Sequence, residues 1–148
     1  METSVRFDRN AGRPTLVSMF YASCPHVCPM LVASIDTLER ELDPAARARL
    51  RVLMVSVDPS DAPRRLAEVV ARHRLDLGRW TLARTSADEV RTVAAALSVR
   101  YRQLPDGEYS HSTVLVLLAP DGRPLARTEQ VMDPPPEFRA ALRAATAR

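Results

Sequence analysis

The residues best suited to chemistry are Cys24 and Cys28, the only two cysteines of the 148-residue chain, with three residues between them. A short apolar run over 16–20 precedes the pair, and apolar residues at helical spacing follow it from Leu31. The cysteines therefore stand where a strand turns into a helix. A helix N-terminus presents unpaired N–H groups and a partial positive charge, which favour thiolate over thiol. Because thiolates attack disulfides and bind metals, the pair could form a disulfide or hold one soft metal ion.

The elements that must position this pair follow from hydrophobic periodicity and turn signals, which predict the order β-α-β-α-β-α-β-β-α. Strands are predicted at 16–20, 51–57, 79–83, 113–118 and 125–130. Four helices are predicted: one from the cysteines to about residue 42, one through 66–73, one that follows a capping box at 86–89, and one from 133–136 onward. Residues 100–112 are predicted to be a long loop or a frayed hairpin.

This order corresponds to a βαβ half, a further helix and a ββα half, which is the thioredoxin-like arrangement. We therefore expect an α/β fold, a thioredoxin-like three-layer α/β/α sandwich with a mixed central sheet. The length suits one domain, and we expect that domain to cover residues 1–148, with 1–13 as a short polar N-terminal segment.

A third candidate, His111, stands at the tip of the predicted strand 113–118. Thioredoxin-type oxidoreductases usually carry C-x-x-C and a proline just before this strand. This chain has one more residue between its cysteines and reads Ser-His-Ser-Thr over 110–113. In this fold the loop before the strand abuts the start of the first helix, so we expect His111 to face Cys24 and Cys28.

Two thiolates and an imidazole form a three-coordinate soft ligand set. Such a set suits Cu(I) and, with an added ligand, Cu(II) or Zn(II). A structural zinc site normally has four protein ligands, so three good ligands disfavour it. His26 or a water could still complete a tetrahedron.

Composition narrows the class of protein. The net charge is +3 and all 21 basic residues are arginines, which are scattered along a chain with few aromatics; this argues against nucleic-acid binding. No apolar run approaches the roughly 18–20 residues of a membrane span, and residues 1–14 show no signal peptide. We therefore expect either a cytoplasmic chain or the processed part of an exported one.

Four separated motifs resemble those of the Sco/SenC copper-binding proteins. Cys-Pro-His-Val-Cys-Pro over 24–29 resembles their C-P-x-x-C-P motif, and Val57-Asp-Pro59 follows the second predicted strand. His111-Ser-Thr113 then precedes an apolar strand that is followed by Pro120-Asp-Gly122. The matches occur in the right order and cover about residues 14–130.

The resemblance implies a thioredoxin-like metallochaperone that binds copper, as Cu(I) or Cu(II), through Cys24, Cys28 and His111. It implies that the protein delivers copper to, or maintains the thiols of, the copper site of cytochrome c oxidase. The expected partner is the copper-site subunit of that oxidase or another copper or thiol carrier, and the expected state is a monomer. The expected location is extracytoplasmic, in the bacterial periplasm, with membrane association if an N-terminal anchor of the kind usual in the family was removed.

Other readings of the cysteine pair remain open. The main alternative is an enzyme, a metal-independent thiol-disulfide oxidoreductase using Cys24 and Cys28 as its redox pair. A thiol peroxidase is disfavoured because Phe20 stands where its pattern needs Thr or Ser. Buried structural thiols, or an interaction module with a vestigial site, are the remaining readings.

Several nearby residues have a less specific expected role. We expect His26, which stands where the family often has aspartate, to face solvent, although it could alter a thiol pKa or add a ligand. Met30 is predicted to fill the core rather than bind copper, and His73 to lie at the boundary of its helix. Asp61 is a candidate helix N-cap, and Asp58 could cap the following loop or orient a ligand. Phe20 and Tyr21 are expected to shield the site.

Overall fold

Residues 12–22, 27–107 and 109–147 are described by the structure, a computed structural model, without the side chains of Val27, Cys28 and His111. The elements in chain order are β1 (Thr15–Phe20), α1 (Val27–Arg40), α2 (Pro44–Arg49), β2 (Arg51–Ser56), α3 (Pro63–His73), β3 (Trp80–Ala83), α4 (Ala87–Leu97), β4 (Tyr101–Gln103), β5 (Tyr109–His111), β6 (Leu115–Leu118), β7 (Pro124–Thr128) and α5 (Pro136–Thr146).

The central sheet has five strands in the order β3-β2-β1-β6-β7. Strands β1, β2 and β3 are parallel, whereas β6 runs antiparallel to both β1 and β7, so the sheet is mixed. Successive residues of a strand point to opposite faces, and five consecutive residues of β1 are buried. Both faces of the sheet are therefore covered, and the predicted thioredoxin-like three-layer α/β/α class is confirmed.

The core joins the middle strands to one apolar side of each long helix. Phe20, Leu115 and Leu117 are fully buried on the sheet. Helical side chains pack into the same cluster, among them Leu31, Ile35, Leu66, Val90, Phe138 and Leu142. The helical periodicity in the sequence thus identified the sides that pack on the sheet.

Two segments carry more regular structure than the patterns indicated. After the first long helix the chain begins a second, short one. Asp43 accepts a hydrogen bond from the Ala46 N–H (2.8 Å) and caps helix α2, with Pro44 in its first turn. Residues 101–111 form the β4–β5 hairpin, the second of the two predicted alternatives. Helix α2 went unpredicted because six residues are too few to show helical periodicity.

The predicted start of helix α4 is confirmed. Ser86 is the N-cap, and its side chain accepts a hydrogen bond from the Glu89 N–H at 3.2 Å. The Glu89 carboxylate accepts from the Thr85 hydroxyl instead of reaching back to the Ser86 N–H, so half of the capping box is formed.

We expect Ser86→Ala to lower the free energy of unfolding by about 1 kcal/mol, because the Glu89 N–H loses its acceptor. Ser86→Gly should cost only a few tenths of a kcal/mol, since glycine is itself tolerated at this position. Urea denaturation of the three proteins measures both values. No loss in Ser86→Ala would show that the hydroxyl does not stabilise the helix start.

Within the part of the chain that is described, no helix is both long enough and apolar enough to span a bilayer.

Candidate functional site

The candidate ligands lie at two points of the chain. Cys28 is the second residue of α1, and His111 is the last residue of β5. Cys24 and His26 lie outside the described residues, and so do the side chains of Cys28 and His111. The assignment of Cys24, Cys28 and His111 as ligands therefore stays a prediction. The structure defines the backbone of Cys28 and His111.

Strand register brings these two points to the same edge of the sheet. In the antiparallel pair β1–β6, Val17 lies opposite Val116, so β6 begins where β1 ends. The Ser18 hydroxyl donates a hydrogen bond to the Val114 carbonyl at 2.6 Å, which extends this contact toward β5. The chain that leaves β1 for the cysteines and the chain that carries His111 into β6 therefore meet at one edge.

A pair of tyrosines joins the same two segments directly. Tyr21 and Tyr109 have ring centroids 5.8 Å apart with planes tilted by 54°. Tyr21 is buried and lies three residues before Cys24, and Tyr109 lies two residues before His111. Tilted aromatic pairs of this kind add roughly 0.5–1.5 kcal/mol beyond their area burial. The sequence reasoning missed Tyr109; its only signal was its position two residues before His111.

The Tyr109 phenol has a raised pKa. Burial is the main cause, since it disfavours the phenolate, and the negative charge of Asp58 adds to it, with smaller effects from Tyr101 and Asp61. The hydroxyl of Tyr109 therefore stays protonated at neutral pH.

The chain just before the cysteines is held by Asp61. Its carboxylate is 2% exposed and accepts hydrogen bonds from the Ala22 N–H (2.8 Å) and the Ser56 hydroxyl (2.5 Å) through the same oxygen. The Val57 N–H donates to the Phe20 carbonyl at 2.7 Å and continues the β1–β2 pairing up to this point. Asp61 thus links the loop after β2 to the segment that leads into Cys24.

The prediction of Asp61 as a helix N-cap is wrong. The N-cap of α3 is Ala62, which makes no side-chain cap bond. The half-buried Ala22 N–H and the buried Ser56 hydroxyl take the Asp61 oxygen instead, because an unpaired donor away from water costs more than an exposed one that water can satisfy. Asp58 does act as a loop cap: its carboxylate accepts the Ser60 N–H at 2.8 Å.

The remaining neighbours divide between confirmed and wrong predictions. Met30 is 46% exposed, so its expected place in the core is wrong; the helical sides that pack on the sheet do not include it. His73 is half-buried at its helix boundary, as predicted, and its pKa is lowered by that burial and then by Arg72. Phe20 and Tyr21 are buried, although whether they shield the ligands stays a prediction.

Among the side chains that are described, no three His, Cys, Asp or Glu residues converge as a metal-binding group. The carboxylates and the half-buried His73 therefore form no second site of that kind within 12–22, 27–107 and 109–147.

The SCO1/SenC family model matches residues 2–147 of the chain. A curated protein of Stutzerimonas stutzeri, whose provisional name is copper-binding protein, is 25% identical over 116 residues, which are 75% of this chain and 55% of that protein. The match thus spans just over half the length of that relative.

Solved structures with the same fold cover nearly the whole chain. ScoI of Bradyrhizobium japonicum, solved with copper bound, has a TM-score of 0.70 and 24% identity over 90% of this chain and 85% of its own. BsSco, described as having a disulfide switch and as one of the cytochrome c oxidase assembly proteins, has a TM-score of 0.72 and 23% identity over 93% and 82%. A SCO1/SenC family lipoprotein from Bacillus anthracis has a TM-score of 0.74 and 19% identity over 91% and 82%.

Proposed function

The chain belongs to the SCO1/SenC family, and on that premise we propose that it binds one copper ion through Cys24, Cys28 and His111. The observation that carries the proposal is that the segment leading to Cys24 meets the segments on either side of His111 at one edge of the sheet, through the Tyr21–Tyr109 contact and the Ser18–Val114 hydrogen bond.

The chemistry of this donor set fits copper. Thiolate sulfur selects Cu(I), and imidazole suits copper in both oxidation states. Cys28 lies in the first turn of α1, where the helix dipole and the unpaired N–H groups stabilise a thiolate. Pro29 follows it and has no N–H to leave unpaired at this position.

The pairing of the β4–β5 hairpin supports the assignment of His111 as a ligand. His111 pairs through its backbone with Tyr101, and Tyr109 pairs with Gln103. Alternate residues of a strand share a face, so we expect the imidazole on the side of the hairpin where Tyr109 meets Tyr21. The two-stranded sheet is separate from the central one, which would let the histidine move relative to the cysteines when copper is passed on.

Copper binding by this set is coupled to thiol redox state. Two thiols can exchange with an external disulfide, forming a Cys24–Cys28 bond while that disulfide is reduced to two thiols. The oxidised chain has lost two of its three ligands and must release copper. The reduced chain takes copper up again with loss of the thiol protons.

We propose the copper site of cytochrome c oxidase as the destination, either by copper delivery or by reduction of its thiols. The family resemblance supports this, and BsSco is described as a member of a family of assembly proteins for that oxidase. We also propose an extracytoplasmic location, for which the Bacillus anthracis lipoprotein is a precedent in the family.

An anaerobic Cu(I) titration of the reduced chain against a competing chelator tests the ligand set. The parent is expected to bind one equivalent tightly. We expect His111→Ala to lose at least about 10–100-fold in affinity, since even loss of an outer-sphere partner has an effect of that size. His73→Ala is the matched control, because His73 lies in α3 and is half-buried there.

Equal affinities of the parent and His111→Ala would remove His111 from the site. Weak copper binding by the parent, together with metal-free turnover of a disulfide substrate, would favour the thiol-disulfide oxidoreductase instead.

A further inference from the structure

Two exposed methionines lie beside the start of helix α1. Met30 is 46% exposed and Met132 is 59% exposed, whereas Met19 and Met54 are buried in the sheet at 1% and 0%. Exposure of a large apolar side chain loses the free energy that its burial would contribute. Met30 and Met132 are therefore the methionines whose side chains a solute can reach in the described part of the chain.

A buried hydrogen bond brings the two methionines to the same seam. The Ser34 hydroxyl donates to the Val131 carbonyl, and both residues are buried. Met30 lies one turn before Ser34 on the same side of α1, about 6 Å along the axis. Met132 directly follows Val131, about 3.8 Å further along the chain. Both residues thus stand close to the seam between α1 and the β7–α5 connection.

The chemistry available at this seam is that of a soft, uncharged donor. Thioether sulfur is polarizable and selects Cu(I) over harder cations, and the three rotatable bonds of methionine let two sulfurs converge. The neighbouring carboxylate of Asp133 already accepts a hydrogen bond from Arg139 at 3.1 Å. Arg139 also pairs with Glu41, so the charge of the carboxylate next to Met132 is already balanced and does not favour a hard cation.

We propose that Met30 and Met132 together bind one Cu(I) ion at a second, weaker site on the surface beside the first turns of α1. Residues two apart on a helix do not face each other, so the ion held by Met30 is distinct from an ion held by Cys28. Met30 lies two residues after Cys28 in the sequence, so copper held by the pair would be near that proposed ligand. Only the choice of copper as the natural metal rests on the proposed function; the pairing of the two sulfurs does not.

The test uses the full chain with Cys24→Ser and Cys28→Ser, labelled with carbon-13 in the methionine methyl groups. Ag(I), a redox-inert analogue of Cu(I), is added as silver nitrate in chloride-free buffer while the methyl signals are followed by NMR. We expect the Met30 and Met132 signals to move together and saturate at one equivalent. The signals of buried Met19 and Met54 should stay in place and act as internal controls.

Leucine variants test whether the two sulfurs act as a pair. Leucine keeps the apolar volume and removes the sulfur. We expect Met30→Leu to weaken Ag(I) binding at Met132 about tenfold or more, because the chelate is lost, and Met132→Leu to do the same at Met30.

Unchanged binding at one methionine when the other is leucine would overturn the pair, as would the absence of any silver-dependent shift at either. A surface that serves only to dock a partner gives that second result. Because the cysteines are absent from this variant, failure here is distinct from failure of the Cys24–Cys28–His111 site, which is measured by the chelator titration of the parent.

Discussion

Replacing either Cys24 or Cys28 by serine is expected to remove tight copper binding while leaving the fold intact. Structural zinc sites with four ligands bind with about 10–16 kcal/mol, so one ligand accounts for roughly 3 kcal/mol. That figure corresponds to a loss of about a hundredfold or more in affinity. Serine is close to cysteine in size but is a far poorer ligand for a soft ion, so the loss reports the sulfur.

The same chelator competition as for His111 measures this loss, with metal-free thermal unfolding of each variant as the check on folding. The parent oxidised to its Cys24–Cys28 disulfide should bind no better than either serine variant, because oxidation removes both sulfurs. A single serine variant that keeps the affinity of the parent would refute the two-thiolate site. An oxidised parent that still binds copper tightly would refute the redox coupling.

Removing the Asp61 carboxylate is expected to give the largest loss of stability among the substitutions considered near the site. In Asp61→Ala the half-buried Ala22 N–H loses its acceptor, and the buried Ser56 hydroxyl keeps only its longer hydrogen bond to the Asp58 carbonyl at 3.3 Å. An unsatisfied donor at a buried site costs about 1–3 kcal/mol, so we expect a loss of about 2 kcal/mol in the free energy of unfolding. Urea denaturation of the metal-free protein measures it.

Asp61→Asn is the matched control for this substitution. The amide oxygen has the same reach as the carboxylate oxygen and can accept both hydrogen bonds, so the loss should fall to about 1 kcal/mol, the size of a typical net hydrogen bond. A loss below about 1 kcal/mol in Asp61→Ala would show that water replaces the carboxylate and that Asp61 does not hold the segment.

The Asp61 substitutions also test whether this carboxylate affects copper binding. Ala22 lies two residues before Cys24, so a free Ala22 N–H leaves the start of the cysteine loop less constrained. We expect Asp61→Ala to weaken copper binding and Asp61→Asn to restore most of it. An Asp61→Ala variant with reduced stability and unchanged copper affinity would show that the loop is positioned without this carboxylate.

The sequence by itself determined the features that depend on short-range patterns. The apolar run of β1 followed by helical spacing placed Cys28 in the first turn of α1, and the order of elements predicted the thioredoxin-like fold. The Ser86 cap was predictable for the same reason, because its hydrogen bond joins residues three apart. The motif resemblance likewise predicted the family that the whole-chain match then showed.

Only the tertiary structure decided which distant segments meet. Asp61 reads as a helix cap in the sequence, yet it bonds the N–H of Ala22, 39 residues away. Met30 is an apolar residue of the kind that fills cores, but it lies on the exposed side of α1, whereas its neighbour Leu31 is buried. The Tyr21–Tyr109 contact joins the residue after β1 to β5, although the two tyrosines lie far apart in the sequence. Such contacts are set by competition among all buried donors and apolar surfaces at once, and local spacing carries no information about that competition.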